Sequence, residues 1–197
     1  MTPDRPASLR PGPGPMTPHT FIVWVEDRPG VLNRIVTLFR RRAYNIDSLT
    51  VGRTEKPGVS RITLVAQADN HTARHLEANL YKIVDVLAVE DVTSQASVIR
   101  EMAFVKLTGK HRAEVMQLCE VFRARVVDLA PGAVTIEGTG SQEKIDGLIE
   151  ALRPYGIIEL VRTGAVAITR GLPEQGAEQG AAAPVALLPE PALTKAG

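Results

Sequence analysis

The chain has one cysteine, Cys119, in 197 residues. No intrachain disulfide can form, and such sparing use of cysteine fits a reducing cytoplasm. There is no run of about eighteen apolar residues, so no segment reads as membrane-spanning. The N-terminus, with Pro3, Pro6, Pro11, Pro13 and Pro15, lacks the apolar core of a secretory signal. Charge of one sign is lacking too. Residues 19–94 carry ten Lys/Arg against nine Asp/Glu, residues 95–171 the same, and the formal net charge is +1. Neither half has the basic excess of a nucleic-acid binder. No carboxylate pair or Ser/His/Asp grouping stands out as catalytic, so no catalytic residue is assigned.

What is present is a repeat between two low-complexity ends. Residues 1–18 are rich in Pro, and residues 172–197 in Ala, Gly, Pro and Glu. Both hold too few apolar side chains to offset the entropy of ordering, so both are expected to be disordered. Met16 stands just before the first strand-like run, so residues 1–15 read as an extension from an upstream start codon or as a disordered arm.

Between the ends, apolar spacing switches repeatedly from strand to helix. Residues 20–26 form a β-branched and aromatic run, hence a strand. Asp27-Arg-Pro-Gly30 turns the chain. Val31, Leu32, Ile35, Leu38 and Phe39 then line one face of a helix. Strands are expected at 44–53 and 59–68 around a Pro57-Gly58 turn, a helix at 70–82, and a strand at 84–93. The second half repeats the order. A strand at 101–109 precedes a helix carrying Val115, Leu118, Cys119 and Phe122. Strands at 125–130 and 133–138 meet at Pro131-Gly132. A helix with Ile145, Leu148, Ile149 and Leu152 leads to a strand at 157–162 and a short one at 166–168. Phe39-Arg-Arg-Arg42 echoes Phe122-Arg-Ala-Arg125. Each βαββαβ unit predicts an α+β, ferredoxin-like sandwich with helices on one face of its sheet. The other face is rich in Val, Ile and Leu and is expected to be covered by a partner. The domains are set at 19–94 and 95–171.

The segment most open to a functional reading is Glu26-Asp-Arg-Pro-Gly-Val-Leu32. It enters the first helix, whose first-turn amides have no intrahelical partner and lie at the positive end of the dipole. A carboxylate is stabilised there. Asp27 could cap the helix or accept from an ammonium group, and Val31 and Leu32 could wall an apolar side chain. On spacing alone this is ordinary folding grammar.

Glu26-Asp-Arg-Pro-Gly-Val-Leu32 after an opening strand resembles the ligand loop of ACT domains, the small-molecule sensors of amino-acid metabolism. Phe39-Arg-Arg-Arg-Ala-Tyr-Asn-Ile-Asp-Ser-Leu49 and Ser60-Arg61-Ile62-Thr63 resemble the regulatory small subunits of acetohydroxyacid synthase, also called acetolactate synthase. So do Arg100-Glu101, Val105-Lys106, Phe122-Arg123, Val127-Asp128 and Gly164…Thr169-Arg170-Gly171. The resemblance spans residues 19–171. In that family Asn often stands at the place of Asp27, and Gly at that of Ala43.

The resemblance implies an ACT domain followed by a C-terminal ferredoxin-like domain. It implies a homodimer through the ACT domains that binds a branched-chain amino acid, usually valine, at the interface. Carried over by position, the ligand residues are Asp27, Pro29, Gly30, Val31 and Leu32 from one subunit and Asn45 and Ile46 from the other. The chain would hold no cofactor or metal and do no chemistry itself. It would activate a large catalytic subunit carrying thiamine diphosphate, Mg2+ and FAD, and confer feedback inhibition on it. A stand-alone tandem regulator of another enzyme or of transcription is the alternative; an enzyme on the same scaffold is the third.

Three other features have plain readings. His71 and His75 are one helical turn apart but without a general base between them, and read as exposed helix residues. Cys119 lies on an apolar helix face and reads as a packed thiol. Arg40, Arg41 and Arg42 end a helix, where the dipole favours cations.

Overall fold

A computed structural model describes residues 14–171. The elements run β1 (Thr17–Glu26), α1 (Val31–Arg41), β2 (Ser48–Arg53), β3 (Val59–Ala68), α2 (Asn70–Leu80), β4 (Val86–Asp91), then β5 (Ser97–Thr108), α3 (Arg112–Phe122), β6 (Arg125–Ala130), β7 (Ala133–Gly140), α4 (Gln142–Leu152), β8 (Ile157–Arg162) and β9 (Val166–Thr169). The first sheet has the order β2-β3-β1-β4 and the second β6-β7-β5-β8, with β9 paired to β5. All pairings are antiparallel. This is the α+β, twice ferredoxin-like architecture expected from the sequence.

Alternation along the strands places the core. Phe21, Val23 and Val25 of β1 and Ile62 and Leu64 of β3 point to one face, where α1 and α2 lay Ile35, Phe39, Leu76 and Leu80 on them. Val105, Leu107 and Ile136 meet Ile145, Leu148 and Leu152 in the same way in the second unit. The repeat extends to irregularities. The β1–β4 register slips between Trp24 and Val25, and the β5–β8 register slips between Lys106 and Leu107.

The sequence echo, by contrast, is out of step. The α1 helix ends with Ala43 at φ 55° and the Tyr44 amide bonded to Phe39 O at 3.0 Å. The α3 helix ends with Arg123 at φ 49° and the Ala124 amide bonded to Cys119 O at 2.8 Å. Both are left-handed C-terminal motifs of the Schellman kind. Cys119 therefore occupies the place of Phe39, and Phe122 does not.

Three expectations shift. β1 begins at Thr17 rather than 20, with Thr17 and Pro18 paired to Ala68 and Gln67, inside the stretch read as disordered. Pro18 is tolerated because β4 does not reach that far along β1. The rest of the expected disorder, residues 1–13 and 172–197, lies outside the described residues. β2 begins at Ser48, not 44, since Tyr44 is used to close α1. β5 begins at Ser97, because Ser97–Arg100 pair with β9 before the strand passes into the second sheet.

That early segment of β5 covers part of the outer face of the first sheet from within the chain. Ile22, Val92 and Ala167 form a small buried cluster there, flanked by Trp24 and Ile99. Beside it Arg61 lies 5.4 Å from the Trp24 ring centroid. Burial lowers the Arg61 pKa, against the pull of Glu90 and Glu55.

Candidate functional site

The β1–α1 connection is held by its backbone. Glu26 N–H donates to Asp85 O (2.9 Å), Asp27 N–H to Gly58 O (2.8 Å) and Arg28 N–H to Glu26 O (2.9 Å). Gly30, at φ 89° and ψ −11°, swings the chain into α1, and its carbonyl receives the Arg34 amide at 3.1 Å. A side chain at Gly30 would meet nothing within 4 Å, so the approach to this helix end is open. An ion pair between Arg34 and the buried Asp85 ties α1 to the start of β4.

Two roles expected for this loop change. Asp27 does not cap α1: the helix has no side-chain cap and no acidic residue in its first turn. The Asp27 carboxylate instead faces Arg53 Nε at 4.0 Å, with both side chains largely in solvent. The left-handed turn at Gly30 takes the place of a capping residue; the Val31 amide turns back to Arg28 O at 3.5 Å, and no side chain caps the amides that follow it. Val31 is 3% exposed and belongs to the core, so it cannot wall a ligand directly. Leu32 is 41% exposed and can. Pro29 is exposed on the loop.

Asn45 and Ile46 lie elsewhere. Asn45 is exposed and donates from Nδ2 to Asp47 Oδ1 (2.9 Å), and Gln67 donates to Asp47 Oδ2 (2.7 Å). Ile46 packs its side chain partly against the first core. The Asp27 loop sits at the Val59 end of β3, and Asn45 at the Gln67 end. That length of strand separates them by about 26 Å at the ordinary rise. One chain does not bring the two halves together.

The equivalent end of the second unit is closed. A 3-10 turn over Gly109–His111 replaces the open loop. Gly109 N–H donates to Gly132 O (2.9 Å), and Arg112 Nη2 to Ala130 O (2.6 Å). A side chain at Gly109 would lie 3.1 Å from the Gly132 backbone.

His71 and His75 bring their Nε2 atoms to 3.2 Å, with no third ligating side chain; no group of three or more such side chains able to hold a metal occurs among the described residues. Cys119 is buried, and burial raises its thiol pKa, away from the reactive thiolate. Ser141 caps α4, accepting from Lys144 N at 3.4 Å. No helix among the described residues is long and apolar enough to cross a membrane.

Sequence reasoning missed the buried polar groups. His19 Nδ1 bonds to Asp91 Oδ2 at 2.9 Å. Arg162 joins Glu101 of β5 and, at 2.7 Å, Asp146 of α4. Burial works against the Arg162 charge, but the bonds to Glu101 and Asp146 prevail and raise its pKa. Arg100-Glu101 carried the resemblance, yet nothing in its spacing signals an ion pair 61 residues away.

Residues 100–171 match the family model described as the small subunit of acetolactate synthase, and residues 21–88 that of the AHAS small subunit-like ACT domain. A probable acetolactate synthase small subunit of Methanothermobacter thermautotrophicus is 44% identical over 161 residues, covering 79% of this chain and 96% of that one. The acetolactate synthase small subunit of Bacillus subtilis is 47% identical over 150 residues, covering 75% and 87%. The crystal structure of the acetolactate synthase small subunit from Thermotoga maritima superposes with a TM-score of 0.74 at 35% identity, covering 79% and 99%.

Proposed function

Since the chain belongs to the acetolactate synthase small-subunit family, we propose that it binds a large catalytic subunit, raises that subunit's activity, and makes it subject to feedback inhibition by a branched-chain amino acid, valine first among them. The thiamine diphosphate, Mg2+ and FAD of the complex belong to the catalytic subunit. The effector sits between two copies of the N-terminal domain.

The observation that carries this reading is the uncovered N-terminus of α1 at Gly30. The Leu32 and Asn33 amides of its first turn receive the effector carboxylate. Asp27 accepts from the ammonium group, and Leu32 lines the branched side chain. Val31 supports the site from the core side.

Edge geometry supports the dimer. β4, at one edge of the first sheet, has carbonyls already occupied: Tyr81 Oη donates to Val89 O (3.0 Å) and Gln95 Nε2 to Asp91 O (3.2 Å). β2 is the other edge. If two β2 strands pair antiparallel about a two-fold axis through the middle of the strand, Ser48 of one copy lies opposite Arg53 of the other. Arg53 is beside Asp27. The start of one β2, with Asn45 and Ile46, is then carried to the Asp27 loop of the second copy. The 26 Å gap within one chain becomes a contact between two.

Titration calorimetry of the full chain with valine, leucine and isoleucine, beside alanine, tests the proposal. Selective, saturable binding of a branched amino acid is expected. Asn45→Ala is expected to weaken it about tenfold, the loss of one hydrogen bond to a charged group. Unchanged binding by Asn45→Ala would remove Asn45 from the site.

A further inference from the structure

The segment that begins at Asn45 continues directly into a contact with the second domain. Ser48 Oγ accepts the Ala165 amide at 3.0 Å, and Thr50 Oγ1 donates to Thr163 O at 3.1 Å. Gly164 between them adopts φ 79°, and its backbone lies so close that a side chain there would stand 2.9 Å from Ser48 Oγ. We propose that this contact, Ser48 and Thr50 of β2 against the Thr163–Ala165 link between β8 and β9, transmits the effector's binding to the C-terminal domain. The inference rests on the reading that Asn45 and Ile46 hold the effector.

The link is bonded on both sides. Toward the effector, Asp47 holds Asn45 (2.9 Å) and Gln67 (2.7 Å), and the next residue is Ser48. Toward the second domain, Thr163 N–H donates to Met102 O at 3.0 Å and Thr163 Oγ1 accepts the Met102 amide at 3.1 Å. Arg162, the preceding residue, reaches Glu101 on β5 and Asp146 on α4. Hydrogen bonds and adjacent backbone thus run without a break from Asn45 to a helix of the second unit. Signals between sites travel through contiguous contacts of this kind when the element has two arrangements.

Room for a second arrangement is present. A cleft of about 660 Å³ opens beside the contact, lined by Asp47, Ser48, Gln67, Glu101, Glu143 and Arg162. The buried cluster of Ile22, Val92 and Ala167 joins the same two parts of the chain and gives the motion a fixed point. A shift at residues 45–48 would carry the link toward this space, with the apolar cluster still joining the two parts. The effector needs only to favour one position of the link over the other.

Ser48→Ala and Thr50→Val remove the two polar contacts without disturbing the strand. The experiment uses the full chain reconstituted with its catalytic subunit. It measures valine, leucine and isoleucine binding by calorimetry and residual activity at saturating effector. The double variant is expected to bind the effector within threefold of wild type, to activate equally without it, and to leave at least threefold more activity when saturated. Residual activity equal to that of wild type overturns the coupling. A loss of effector affinity beyond thirtyfold also overturns it, because Ser48 would then belong to the binding site. If the wild-type chain neither binds nor is inhibited by any of the three, the amino-acid reading itself fails and this inference falls with it.

Discussion

At the residue scale, the site divides into what periodicity reveals and what it hides. Gly30 is legible, since a Pro-Gly pair before a helical apolar face announces a turn. The burial of Val31 follows from the same spacing, because it opens the face that also holds Ile35 and Phe39. That Asp27 leaves the helix end uncapped is not legible. It depends on Gly30 adopting the left-handed region, which no neighbour dictates. Ala43 is the converse case. It holds φ 55°, a conformation that costs a residue with a β-carbon about 1–2 kcal/mol. Glycine removes that strain at some entropic cost in the unfolded chain. Ala43→Gly is therefore expected to stabilise the protein by about 0.5–1 kcal/mol, a rise in Tm of about 1–4 °C by calorimetry. A fall in Tm would show that the entropic cost of glycine exceeds the strain it relieves.

At the element scale, most strands and helices are where alternation and the 3.6-residue period put them, because each buries one face on one core. The misplaced ends have non-local causes. β5 is lengthened by β9, whose pairing residues lie far along the chain, and β1 by the far end of β3. The echo between Phe39 and Phe122 misled because composition repeats where position does not. The α2 helix offers a sharp test of local control. Asp69 caps it, accepting the Thr72 amide at 2.6 Å, and that bond, with the Thr72 hydroxyl and the Gly14 amide, holds its carboxyl below the ordinary aspartate range despite burial. A lowered carboxylate pKa contributes stability that is full above the unfolded-state value of about 3.9 and is lost as the pH falls through the folded-state value. Asp69→Ala is expected to lower Tm by about 2–4 °C at pH 7. The difference from wild type narrows as the pH falls below about 4. A gap that stays constant down to pH 2 would rule out the charged cap as its cause.

At the scale of the whole molecule, the question is which surface of the first domain remains for a second copy. Helices α1 and α2 cover one face of its sheet, and β5 with β9 covers part of the other, so face-to-face stacking is restricted. Part of the outer face that was expected to be covered by a partner is covered by the chain itself, a result that no single-domain pattern could foretell. Of the two edges, β4 is blunted by Tyr81 and Gln95. β2 keeps Val51 47% exposed on the helix side of the sheet. A charge placed on an edge strand opposes pairing, and across a two-fold axis it is placed twice. Val51→Lys is thus expected to shift the chain from dimer to monomer in sedimentation equilibrium, with its circular dichroism unchanged. Valine affinity should fall at least tenfold in the same preparation if, as proposed, each site takes Asn45 from the other copy. A folded monomer that still binds valine at wild-type strength would place the whole site within one chain, against the length of β3, about 26 Å, that separates its two proposed halves.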